Sequence, residues 1–139
     1  MDPLHLAHLI LVSTWGGVVL GETVLELAGG TGEAAEQQIA RVHLWIDLLI
    51  ELPIILAVVA TGTILAARVW PIVPLLALKL AAGGLAAALN LYCIGAVVAR
   101  ARATDANARR RWTRHVRASA FGIPFAVTAA VLGLAYFRR

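Results

Sequence analysis

Four long apolar segments dominate this 139-residue chain, at residues 3–28, 42–67, 71–99 and 115–137. Each is longer than the ~20 residues that an α-helix needs to cross the hydrocarbon core of a bilayer. Because backbone amides find no water inside a bilayer, a segment that crosses it in this way has to be helical. The sequence therefore predicts an all-α integral membrane protein, a single-domain, up-and-down four-helix bundle.

The composition agrees with this fold class. Apolar types make up 60% of the residues and charged types only 14%, and the mean hydropathy is +0.82. A water-soluble domain with this balance would aggregate. The net charge of +4 does not indicate a nucleic-acid partner, because the arginines concentrate in one loop between apolar segments. The first segment lacks a basic leader and an obvious small-residue cleavage site, so we expect it to be retained.

The placement of arginine predicts the topology. Seven arginines fall on the side that holds loop 100–114, and three fall on the other side. The positive-inside rule then makes this loop cytoplasmic and puts both termini outside. We expect a multi-pass protein of a bacterial-type inner membrane, with membrane lipid around it. We expect residues 33–41 to lead helically into the second segment. Thr104 or Asp105 is expected to cap a helical, basic start to the fourth.

Ionisable side chains collect in the half of the bundle next to the arginine loop. His43, Asp47 and Glu51 follow one another every four residues in the second segment. This spacing keeps them on one helix face, since each step drifts by only ~40°. Glu22 and Glu26 fall at the same depth in the first segment. An unpaired ionisable group at mid-helix costs ~2.5–3.5 kcal/mol, so these groups are expected to pair, to bind a ligand or to line a water path.

The other helices are expected to support this polar cluster through Asn90, His115 and Arg117. Carboxylates still outnumber cations there, and buried charge has to be neutralised by protons or by a bound cation. We therefore predict that Glu51, the deepest acid, is either protonated at neutral pH or close to a positive centre. That centre would be Lys79, Arg117 or a metal ion.

The opposite half of the bundle holds fewer polar groups, among them His5, His8 and Lys79. His8 shares a helix face with Trp15, Glu22 and Glu26, whereas His5 lies about 60° off that face. We therefore predict that His8, and not His5, faces the interior of the bundle.

The stretch "LHLAHLILVSTWGG" and the placement of Lys79 in "LKLAAGGLAAALN" resemble the small four-helix membrane proteins grouped around HemJ and the CopD copper-resistance domain. The spacing of nine residues between Pro53 and Gly62 in the second helix is similar to that of a proline and a glycine in a helix of HemJ proteins. The resemblance implies the four-helix membrane fold. The resemblance to HemJ also implies that the chain binds haem b in a redox or electron-transfer role, with His8 of the first helix as a haem ligand. The resemblance to CopD implies an association with copper passage. Asn90 stands where HemJ proteins tend to have a histidine.

Three functions remain open from the sequence. The first is a haem-b membrane oxidoreductase or electron carrier, ligated either by His8 with Lys79 near it or by His43 and His115. The second is a site for, or a conduit of, a divalent transition metal, built from Glu22, Glu26, His43, Asp47 and Glu51. The third is a structural accessory subunit, in which Lys79 and Arg117 neutralise the acids. Asn90 would hold helices together in any of them.

Small residues add a further expectation. Gly17 and Gly21 form a G-x-x-x-G step in the first helix, and the third helix contains "LAAGGLAAAL". Such faces let helices approach closely, either within the chain or in a homodimer, and they could also leave room for a flat cofactor. Besides a second copy of the chain, we expect a membrane redox partner if the protein binds haem.

Overall fold

The chain folds into helices joined by short connections. The computed structural model describes residues 2–30 and 32–137, and no strand occurs within these ranges. The helices are α1 (Pro3–Ala28), α2 (Glu33–Ile46), a π-helical turn (Asp47–Glu51), α3 (Leu52–Ala67), α4 (Pro74–Arg102), α5 (Ala106–Ser119) and α6 (Gly122–Phe137). They make four spans that are long and apolar enough to cross a membrane: Pro3–Ala28, Glu33–Ala67, Pro74–Arg102 and Ala106–Tyr136.

The predicted bounds hold for the first helix and shift in the others. The second span includes the predicted helical lead-in. The third begins at Pro74 and ends at Arg102, three residues later at each end than predicted, because Pro74 suits the first helical position, where no amide donor is needed. Asp105 caps α5 as expected, and its Oδ1 atom accepts the amide of Ala108 at 2.8 Å.

The fourth span is broken once, between α5 and α6. Pro124 has no amide hydrogen to donate to the carbonyl of Ala120, so the regular helical ladder cannot continue there. The backbone tightens instead: the amide of Phe121 donates to the carbonyl of Ala118 at 3.1 Å, and that of Ile123 to Ala120 at 3.0 Å. Tight turns of this kind are common where helices end. The fourth span, predicted as one helix, thus consists of two consecutive helices, α5 and α6.

Contacts at the two ends of the bundle establish the up-and-down order. At one end, Arg68 donates to Asp2 at 2.8 Å, and both line a cavity with Tyr136. At the other end, Arg109 lies 3.5 Å from Glu33. We call the first the terminal end and the second the arginine end. The described chain therefore begins and ends at the same end, opposite the arginine-rich α5.

The third span is the centre of the packing. α4 packs against α5, α6 and α2, while α1 packs along α3. Ala86 and Ala87 of α4 lie in one core cluster with Trp15 and Ile55. Such small side chains let the helices approach closely, as membrane helices commonly do.

The outer faces of the helices are apolar. Leu20, Val24 and Leu27 of α1 are 60, 62 and 75% exposed, which is a pattern that suits lipid and does not suit water. Gly17 and Gly21 also face outwards, and a Cβ at either would meet no described atom within 4 Å. The G-x-x-x-G step therefore does not mediate close packing within the described part of the chain.

Candidate functional site

Polar side chains from three spans meet inside the arginine half of the bundle. We call this group the acid–histidine cluster. Its members are Glu22 and Glu26 of α1, His43 of α2, and Asp47 and Glu51 of the π turn, with Trp15, Asn90 and Arg100 as their partners. The sequence predicted a contribution from all four helices, but the residues named for the fourth, His115 and Arg117, lie elsewhere.

The second span presents one buried strip to this cluster. His43, Asp47, Glu51 and Ile55 are 3, 0, 0 and 0% exposed, and the residues between them are at least partly accessible. This confirms the prediction that the three ionisable residues share an interior face.

The π turn at Asp47–Glu51 helps to align the strip. Residues four apart in an α-helix drift by ~40° around the axis. A π turn rotates less per residue, because its hydrogen bonds close over five residues, so it offsets part of this drift. The amide of Leu52 accordingly donates to the carbonyl of Asp47. π turns within α-helices are frequent at functional sites.

His43 is held in one orientation by Glu26. Its Nδ1 atom lies 2.6 Å from Oε1 of Glu26. Arg100 donates to both oxygens of the same carboxylate, at 2.6 and 3.0 Å. A carboxylate paired in this way is ionised and can only accept, so Nδ1 carries the proton of the ring. In the neutral ring, the lone pair of the imidazole is then on Nε2.

The Nε2 atom of His43 faces two further carboxylates. It lies 3.4 Å from Oδ1 of Asp47 and 3.8 Å from Oε2 of Glu22. One ligand atom from each of the three residues falls within 4.8 Å of the others, and all three side chains are buried. Buried oxygens here lack a hydrogen-bond partner among the described residues: Oε1 of Glu22 and both side-chain oxygens of Asp47.

Glu51 lies at the deep end of the cluster and is bound by neutral donors. Its Oε1 atom accepts from the amide of Asn90 at 2.7 Å and from the indole of Trp15 at 3.2 Å. Oε2 is buried and has no hydrogen-bond partner within the described chain. Glu51 thus faces the interior as predicted, and Asn90 supports it. Neither cation named for it in advance, Lys79 or Arg117, is a donor in these hydrogen bonds.

The charges of the cluster are unbalanced. Four carboxylates face one guanidinium, that of Arg100, and one imidazole, that of His43. Buried carboxylates in excess have to be neutralised by protons or by a cation. The cluster therefore has the composition to hold either several protons or one multivalent cation.

The remaining predicted residues lie apart from the cluster. His115 contacts Tyr92, with 2.7 Å between its Nδ1 atom and the tyrosine hydroxyl, and Trp112, with 5.2 Å between ring centroids. It is therefore not paired with His43 in the way that the sequence interpretation allowed. Arg117 is exposed, because it points away from the face of α5 that carries the buried Val116. The arginine of the cluster is Arg100.

His8 and Lys79 lie at the terminal end. His8 is 9% exposed and His5 is half-buried; His8 is thus the more buried of the two, as predicted, but both line the cavity at this end. The Nδ1 atom of His8 lies 2.8 Å from the hydroxyl of Thr61. His8 and Lys79 line the same cavity, whose volume is about 150 Å³.

Two members of the site were missed in the sequence. Arg100 was assigned to the loop because the third helix was predicted to end one residue before it. Trp15 was placed on the correct face, but its role as a donor to Glu51 depends on a contact 36 positions away in the chain.

Comparison of the chain with protein-family models, curated proteins and solved structures gave no match.

Proposed function

We propose that this chain is a multi-pass membrane protein that binds a divalent transition metal at His43, Glu22 and Asp47. One observation carries the proposal: one ligand atom each of a buried imidazole and two buried carboxylates lie within 4.8 Å of one another. Histidine with carboxylate ligands suits iron, manganese or zinc. Copper(I) prefers sulfur, and the cluster contains no cysteine ligand among the described residues.

The surroundings of His43 support a metal ligand. Metal-binding histidines almost always donate their second ring nitrogen to a carboxylate or carbonyl, which fixes the ring and raises its basicity. Glu26 is placed to do this through Nδ1, and Arg100 fixes Glu26 in turn. Three protein ligands leave a coordination position open for water or a substrate, as catalytic and transport sites require.

The excess of carboxylates in the cluster also favours a divalent metal ion as the ligand. A divalent cation would neutralise most of the carboxylate excess in the cluster, and the unpartnered oxygens of Glu22 and Asp47 would gain a partner. In the membrane we propose the orientation given by the arginines, with the arginine end cytoplasmic and the termini outside. The metal would then bind in the cytoplasmic half of a bacterial-type inner membrane.

Haem b is the second candidate, and the orientation of His8 is the observation in its favour. Nδ1 of His8 is engaged by Thr61, which leaves Nε2 for an axial bond. The cavity beside it measures about 150 Å³, below the ~300–1,000 Å³ typical of sites for larger ligands. The resemblance to HemJ proteins supports haem, but the volume favours a smaller ligand, so we rank the metal first.

Metal content and the visible spectrum of the protein test this proposal together. The protein would be purified in mild detergent, incubated with Mn²⁺, Fe²⁺ or Zn²⁺, passed through a desalting column and analysed. We expect one metal ion per chain and no Soret band. Glu22→Gln and Asp47→Asn should lower the metal content, while Glu33→Gln, which removes an exposed acid at the same end, should not.

Two results would contradict the metal proposal. A Soret band that disappears in His8→Ala but persists in His5→Ala would select haem. A colourless chain that retains no metal under any of these conditions would select the third function, a structural accessory subunit.

A further inference from the structure

A second polar site, separate from the acid–histidine cluster, lies at the terminal end of the bundle. It is a cavity of about 150 Å³. Its polar lining residues are Asp2, His5, His8, Arg68, Lys79 and Tyr136. Leu65, Leu76 and Leu80 form apolar walls. A small cavity with a few convergent polar groups and apolar walls is typical of a site for a small ligand.

His8 lines this cavity and its ring has one nitrogen without a described hydrogen-bond partner. The hydroxyl of Thr61 donates to the carbonyl of Ala57 at 2.7 Å. Because a hydroxyl has a single proton, Thr61 accepts from Nδ1 of His8, at 2.8 Å. In the neutral ring, Nε2 of His8 is then the unprotonated nitrogen. Gly62 leaves room for the ring, since a Cβ there would lie 3.1 Å from Cε1 of His8.

Lys79 brings positive charge to the same cavity. Its side chain passes over Gly133, where a Cβ would lie 3.0 Å from Cε of the lysine. Arg68 adds a second cation and Asp2 a carboxylate, which pair at 2.8 Å. Asp2 is the one acid among the described lining residues. Among the described lining residues, cations thus outnumber acids by one before either histidine is protonated.

We propose that this cavity binds a phosphate group that carries a proton. The described lining includes the ammonium group of Lys79 and the guanidinium group of Arg68, and such groups are the usual phosphate binders in proteins. Its P–OH group donates to Nε2 of His8, whereas a phosphate diester offers no such donor. This proposal does not depend on the metal site.

A phosphate group that carries a proton can come from two kinds of molecule. One is the monoester headgroup of an anionic lipid, because basic pockets at the ends of membrane helices bind headgroups and the leucine walls suit the start of an acyl chain. The other is free phosphate. Both present a hydrogen-bearing phosphate to His8 and Lys79.

Calorimetric titration of the detergent-solubilised protein tests the proposal. The probes are inorganic phosphate, dihexanoyl phosphatidate and dimethyl phosphate, a diester of the same charge without a P–OH group. We expect saturable binding of one or both of the first two and weaker binding of the diester. Binding of inorganic phosphate identifies free phosphate as a ligand, and binding of the phosphatidate alone identifies the lipid.

Variants assign the binding to the cavity. Lys79→Gln should weaken it about tenfold or more, the value of a charge-assisted hydrogen bond. Gly62→Ala should also weaken it, because the new methyl group displaces the His8 ring, and this variant keeps both polar groups if Lys79→Gln does not fold. Arg110→Gln removes an exposed cation at the arginine end and should change nothing. No saturable binding, equal binding of the diester, or equal losses in Arg110→Gln and Lys79→Gln would overturn the proposal.

Discussion

The Nδ1 atom of His43 lies 2.6 Å from a carboxylate oxygen of Glu26, and that contact sets the chemistry of the whole cluster. It places a proton on Nδ1, so in the neutral ring the lone pair of Nε2 lies beside the carboxylates of Glu22 and Asp47, where a cation could bind all three. Arg100 holds the same carboxylate through two hydrogen bonds. Four residues from three spans are thus arranged around one imidazole ring, Glu26 and Arg100 beside Nδ1 and Glu22 and Asp47 beside Nε2.

Glu26→Gln should weaken metal binding about 10–100-fold, the usual effect of removing the carboxylate that orients a metal-binding histidine. The three proposed ligands remain, so stoichiometric binding should still be reached at high metal concentration. Isothermal titration in detergent measures this change. Glu36→Gln, an exposed acid on α2, is the matched control, and equal affinities in the two variants would contradict the role given to Glu26.

The pair of Glu26 and Arg100 should also contribute to stability as a unit. Removing one partner of a buried ion pair leaves the other charge uncompensated and costs ~3–5 kcal/mol. Arg100→Leu and Glu26→Gln should each lower the free energy of unfolding by about this amount. The double variant should lose less than the two single losses combined. Denaturant unfolding in mixed micelles gives the three values, and strict additivity would show that the pair is not coupled.

Glu51→Gln should fold almost as well as the wild type, since the amide oxygen can still accept from Trp15 and Asn90. Glu51→Leu leaves both donors buried without a partner, at ~1–3 kcal/mol each, so it should be clearly less stable. Thermal unfolding followed by circular dichroism compares the two. If the leucine variant were as stable as the glutamine variant, these hydrogen bonds would not stabilise the fold.

Labelling with a membrane-impermeant thiol reagent should place the two ends of the bundle on opposite sides of the membrane. Cys93 is the one native cysteine, so Cys93→Ser provides the background for Asp2→Cys and Asn107→Cys. In intact cells Asp2→Cys should react, while Asn107→Cys should react only after permeabilisation. The reverse pattern would invert the orientation, and reaction of both in intact cells would refute the four-span topology.

The number of spans and the strip on the second span could be predicted because both depend on local regularities. Apolar length decides whether a helix can cross a bilayer, and four-residue spacing decides which residues share a helix face. His43, Asp47 and Glu51 could be placed on one face for that reason. His8 could be separated from His5 by the same geometry.

The partners of these residues could not be predicted in this way. Arg100 and Arg117 both lie near the arginine end, and only the rotation of each helix about its axis decides which one enters the cluster. That rotation depends on how α4 and α5 pack against their neighbours, which no local pattern encodes. The π turn was missed as well, because its five residues read as ordinary helix in the sequence.

Metal affinity in two histidine variants tests the central claim most directly. The protein would be titrated with Mn²⁺ or Zn²⁺ and compared with His43→Gln and His115→Gln, which remove one imidazole each, inside and outside the cluster. We predict that His43→Gln binds more than about 100-fold more weakly, since losing a ligand costs at least as much as losing its orienting partner. His115→Gln should bind like the wild type. Equal affinity in all three proteins would contradict a metal site at His43.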